Sequence, residues 1–120
     1  MGKIISFQDL EVWQEAHKLV LLVYRTTKEF PDEEKFGLVS QMRRASVSIA
    51  ANIAEGFKRR GFKEKIRFYN ISEGSLEELK YYFVLSKDLG YMSSNTNQTA
   101  LADTVGRLLN GLITSTERRL

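Results

Sequence analysis

Gln41 to Gly56 reads QMRRASVSIAANIAEG, and this stretch decides the fold. Met42, Ala45, Ile49 and Ile53 recur in steps of three and four, which puts them on one stripe of an α-helix. Leu38 extends the stripe backward and Phe57 extends it forward. Followed in heptad steps from Leu38 through Met42, Ala45 and Ile49, the stripe lands on Asn52, so an amide is expected at the edge of the core. A second stretch, Ile71 to Leu79 reading ISEGSLEEL, does the same with Glu73, which follows Ile66 and Tyr69. A buried amide or carboxylate without a partner costs about 1 to 3 kcal/mol, so Asn52 and Glu73 are expected to satisfy each other. A hydrogen bond that fixes helix register is the preferred reading over a proton-transfer or ligand site.

Outward from these stretches the chain divides into four helical runs. Breaks come at Pro31 within FPDEEKFG, at Arg60 with Gly61, and at the GYMSSN stretch from Gly90. Helix 1 is expected from about Phe7 to about Lys28. It opens on Ser6 and Asp9 in the manner of a capping box and carries Leu10, Trp13, Ala16, Val20, Val23 and Thr27 inward. Leu21 and Leu22 lie on its polar side. Helix 2 is expected to start just after Pro31, with Asp32, Glu33 and Glu34 at the positive end of the helix dipole, and to run to about Phe57. Helix 3 is expected from Phe62 or Lys63 to a glycine cap at Gly90, and helix 4 from Ser93 or Ser94 to Arg118 and Arg119. Four helices with short connections have one economical arrangement, an all-α antiparallel up-and-down four-helix bundle over residues 1–120. Gly74 and Ser75 in helix 3, and Gly106 and Gly111 in helix 4, are poor helix formers and are expected where helices pack closely.

With 120 residues the chain has the length of one domain, which buries roughly two thirds of its unfolded surface. Leu19 to Tyr24 is too short an apolar run to span a bilayer, and the amino-terminal MGKIISFQDL lacks the features of a secretory signal. The absence of cysteine excludes disulfides, thiolate metal sites and cysteine nucleophiles, and fits a cytoplasmic protein. The net charge is only +3, but it is unevenly spread. Between Phe57 and Arg67 lie Lys58, Arg59, Arg60, Lys63, Lys65 and Arg67 against the single acid Glu64. A concentrated patch of this kind attracts polyanions, with Arg43 and Arg44 as possible additions.

Catalytic constellations are missing. His17 is the only histidine, it has no carboxylate one helical turn away, and no phosphate-loop, dinucleotide or nucleophile-elbow pattern occurs. No metal or cofactor is therefore expected. Gln41, Arg44, Ser48 and Glu55 share one face of helix 2, which is either solvent-facing or a contact for another subunit, with Arg44 or Arg43 pairing with Glu77 or Glu78.

FQDLEVWQEAHKL at the start, FP followed by GLVSQMRRASVSIAANIAEG, and EGSLEEL further on together resemble the four-helix bundle family of bacterial 23S rRNA intervening sequence proteins. The resemblance runs from Phe7 to about Tyr91, with helix 4 similar only in pattern. Ala50 departs from it, since the family often has proline before NIAEG. The resemblance implies an antiparallel bundle that assembles into a ring of five subunits, and no enzymatic activity. It also implies a relation to the accessory protein of diversity-generating retroelements, a pentameric barrel that engages nucleic acid and a reverse transcriptase.

Three functions compete at this level. The first is a homo-oligomeric bundle that binds nucleic acid, RNA above all, through the segment from Lys58 to Arg67, with Phe57 and Phe62 beside it as core residues or stacking platforms. The second is a symmetric scaffold for a protein partner such as a polymerase. The third and weakest is an enzyme with a carboxylate site around Glu55 and Glu73.

Overall fold

In the computed structural model, which describes residues 3–120, all regular structure is helical. Met1 and Gly2, the start of the stretch read for a secretory signal and of the expected 1–120 domain, lie outside the described residues. A short 3-10 turn at Phe7–Asp9 precedes α1 (Glu11–Thr27), and a second at Asp32–Glu34 precedes α2 (Leu38–Lys58). Then come α3 (Phe62–Asp88) and α4 (Thr96–Glu117). Each helix packs on its neighbours in sequence, and α4 returns to α1 to close the square.

Contacts between neighbours rise in number on one helix as they fall on the next, the order of antiparallel packing. Met42 meets Ser86, Ile49 meets Ser72 and Gly56 meets Tyr69. Likewise Phe62 lies under Arg119, Leu76 against Gly106, and Lys80 beside Asp103. The core fills the middle of a body 45 Å long with Leu19, Val23, Met42, Ile49, Ile53, Tyr69, Leu79, Phe83, Val105 and Leu109.

The helix starts differ from the expected ones. Ser6 and Asp9 do form a capping box, but it closes the 3-10 turn, because Leu10 is extended and α1 begins only at Glu11. The Asp9 carboxylate accepts from the Ser6 and Ile5 backbone N–H groups, and these bonds hold its pKa below the ordinary aspartate value of 3.8. A depressed carboxylate pKa supplies stability above the unfolded value and loses it as pH falls through the folded one. The Asp9 resonance is therefore expected to titrate below pH 3.8. An NMR titration at or above the ordinary value would show that the turn is not formed.

Helix 2 starts at Leu38 rather than after Pro31, and the acids at 32–34 sit in the separate turn. Glu34 still serves the helix from outside: one carboxylate oxygen accepts the Leu38 N–H at 3.2 Å and the other accepts Tyr91 OH at 2.9 Å. Tyr91 also packs on Phe30, so the α1–α2 and α3–α4 connections are tied at one end of the bundle. Helix 4 begins at Thr96, two residues beyond Ser94, whose hydroxyl accepts the Thr96 N–H.

Gly90 ends α3 as expected. Its φ of +81° permits a Schellman turn, in which Gly90 N–H donates to Lys87 O and Tyr91 N–H to Ser86 O. The other glycines behave unequally. Gly106 packs on Leu76, but a Cβ at Gly74 or Gly111 would meet nothing within 4 Å, so neither serves close packing inside the chain. Ser75 does reach a neighbour, its hydroxyl lying 2.8 Å from that of Ser48.

The expected bond between Asn52 and Glu73 is absent. Asn52 is half-buried and donates to Ser48 O and Ser48 Oγ of its own helix, whereas Glu73 is exposed. The seam of α3 runs through Tyr69, Ser72, Leu76, Leu79 and Phe83, which puts Glu73 about 100° beyond Ser72 around the helix. Ser72 is buried and satisfied, donating to Ile49 O at 2.8 Å. A small hydroxyl fits there because α2 and α3 pack closely, while a carboxylate buried there would lose its hydration and have to take up a proton or find a partner.

Candidate nucleic-acid interface

The turn between α2 and α3 exposes the basic segment at one end of the bundle. Lys58 closes α2, Arg60 lies in the turn, and Lys63 stands in the first turn of α3; all three are exposed. Among the described residues none of the three takes part in an ion pair.

The other three cations of the segment are engaged. Arg59 pairs with Glu55 at 2.7 Å and Arg67 with Glu64 at 3.1 Å, while both guanidiniums lie 4.8 Å from the Phe68 ring centre. Their charge is partly offset by the acids, and the ring gives both a second contact. Exposed pairs of this kind contribute little to stability and exchange partners easily.

Lys65 has a structural position. Its ammonium donates to Phe57 O at 2.6 Å and Gly56 O at 3.3 Å, carbonyls of the last turn of α2, the second of which also accepts the Arg59 N–H. Desolvation draws its pKa below the ordinary lysine value, and the two carbonyls offset that cost. Lys65→Met is expected to destabilise the fold by about 1 kcal/mol in a denaturant titration. The same change should leave the salt dependence of any nucleic-acid binding as it is. A lost salt slope with unaltered stability would instead make Lys65 a phosphate ligand.

Arg43 and Arg44 are not part of this surface. They precede Lys58 by about four turns of α2, on the order of 20 Å. Arg43 turns toward α1, where it donates to Thr27 Oγ1 at 2.9 Å and lies over the Tyr24 ring at 4.5 Å. Arg44 and Gln41 are exposed on α2, and Glu78 accepts a hydrogen bond from Tyr82 OH. Glu55 is held by Arg59, and no polar contact joins it to exposed Glu73 among the described residues. Nor does any group of three or more acidic or histidine side chains there have the geometry to hold a metal ion. His17 is exposed and stacks on Trp13 at 5.0 Å.

One cation was outside the segment identified by local charge density. The return of α4 carries Arg119 to the same end, 5.7 Å from the Phe62 ring centre. The signal was available in the antiparallel order, which brings the end of helix 4 beside the start of helix 3. Phe57 and Phe62 are both half-buried, the first under the Lys65 ammonium. Beside them a groove of about 560 Å³ runs between the amino-terminal turn and α2, walled by Ile5, Phe7, Ala51, Ala54 and Phe57.

An all-α four-helix bundle with a basic end defines the class of protein. The chain belongs to the 23S rRNA-intervening sequence protein family, whose model matches residues 8–111. It is also similar to the crystal structure of a protein of unknown function from the S23 ribosomal protein family of Bacteroides thetaiotaomicron VPI-5482. That likeness has a TM-score of 0.75 at 22% identity, covering 85% of this chain and 97% of the other, and it shows the fold. No curated protein matches the chain. No helix of the described residues is long and apolar enough to cross a membrane.

Proposed function

We propose that this protein is a non-enzymatic, homo-oligomeric four-helix bundle that binds nucleic acid, RNA before DNA, through the basic end formed where α2 meets α3. The observation that carries this reading is the group of unpaired, exposed cations Lys58, Arg60 and Lys63. Arg59, Arg67 and Arg119 stand around them, the first two beside the Phe68 ring. Cations held at one end present several contacts to a phosphate backbone together, and an oligomer of the five copies implied by the family resemblance multiplies them.

The absence of a base-reading motif favours recognition of backbone and shape over sequence. The cytoplasm, where RNA is at hand, is the compartment this reading requires. Titrating a labelled RNA hairpin with the protein at several salt concentrations tests it. Binding that weakens steeply with salt supports the proposal; a protein-only partner recovered by an intact oligomer that ignores RNA would replace it with a scaffold.

A further inference from the structure

Two exposed apolar surfaces of opposite charge lie away from the basic end. The first is a groove of about 730 Å³ between α1 and α2, lined by Tyr24, Phe36, Val39 and Val47, with Lys35 and Arg44 at its rim. Phe36 is 90% exposed, an extreme value for phenylalanine on a chain of this size. The second is the outer face of α3, where Tyr81 is 59% and Val84 51% exposed. Glu77 and Glu78 stand one helical turn before Tyr81.

The two surfaces are level along the bundle. Met42 meets Ser86 and Ser48 meets Ser75, so Arg44 of α2 stands at the height of Tyr81 on α3. We infer that the α1–α2 groove of one copy receives the Tyr81 ridge of a second copy, with Lys35 and Arg44 facing Glu77 and Glu78. The contact is heterologous, since each copy offers a groove on one side and a ridge on another. A heterologous contact repeats until it closes, and surfaces at equal height favour a ring over a climbing filament. The inference rests on the homo-oligomeric part of the proposed function and is independent of RNA binding.

Phe36→Asp and Tyr81→Asp test it by sedimentation, each side chain being exposed enough that helical content and melting should stay as in the wild type. The wild type is expected to sediment as an assembly of several chains and each variant as a monomer. An equal mixture of the two variants retains one intact groove and one intact ridge, so it should form dimers and nothing larger. Assembly of Tyr81→Asp at the wild-type size would mean that the ridge is not used, and would overturn the inference. Assembly of both variants would overturn only this assignment of surfaces, whereas a monomeric wild type would overturn the oligomeric reading with it.

Discussion

Replacing Gly56 with alanine is expected to lower the stability of this bundle by about 2 to 3 kcal/mol, the upper range for overpacking a core. A Cβ at Gly56 would stand 2.6 Å from Tyr69 Cε1, 2.9 Å from Tyr69 Cδ1 and 3.1 Å from Phe68 Cβ. Tyr69 is 2% exposed and has nowhere to move, so relief requires α2 and α3 to separate. Separation would in turn stretch the Ser72 to Ile49 and Ser48 to Ser75 hydrogen bonds along the same seam. The melting temperature should fall by roughly 10 °C. A double-mutant cycle identifies the cause: with Tyr69→Ala already present, the added methyl group should cost little. Equal costs in both backgrounds would place the damage elsewhere. The glycine also sets the site, because the close approach it permits positions Lys65 over the end of α2 and brings Phe68 beneath Arg59.

The second large effect concerns the basic end. Changing Lys58, Arg60 and Lys63 together to glutamine should weaken RNA binding roughly a hundredfold at about 0.1 M salt and reduce the salt slope by about two to three units. The size follows from counterion release, since each lost phosphate contact removes close to one unit of slope. All three side chains are exposed, so the fold should keep its melting temperature. An unchanged slope in this variant would mean that the phosphates contact another surface. Paired with Lys65→Met, which should weaken the fold and spare the slope, the variant separates the cations that face a ligand from the one that caps a helix.

The four helices were legible because each stripe is long and is cut off by proline, glycine or serine. Their starts were less so. The capping box at Ser6 and Asp9 was readable, but the extended Leu10 that detaches it from α1 was not, since nothing in the local pattern distinguishes a capped 3-10 turn from a capped helix. Glu34 illustrates the same gap: its acid was placed at the start of helix 2, yet it acts there through a side chain reaching from a separate turn. Glu73 was misplaced because heptad counting through Ile66 and Tyr69 chose the wrong one of two adjacent positions, the buried one being Ser72.

Charge density marked the basic segment without dividing it. The division depends on Glu55, one turn before Arg59, on carbonyls eight and nine residues from Lys65, and on an arginine returned by α4. The first is an i, i+4 spacing that the sequence does carry; the other two are tertiary relations that a run of residues does not encode. Phe36 shows the reverse case, a phenylalanine beside Gly37 that stays 90% exposed with the Lys35 ammonium 5.6 Å from its ring centre.

The most direct measurement is the binding of purified protein to a structured RNA hairpin and to a matched DNA duplex across several salt concentrations, with the mass in solution followed in the same buffers. The expected result is an assembly that binds the hairpin at low salt, prefers it to the duplex, and releases it steeply as salt rises. An intact assembly that binds neither at low salt would contradict it and leave Lys58, Arg60 and Lys63 as solvated surface.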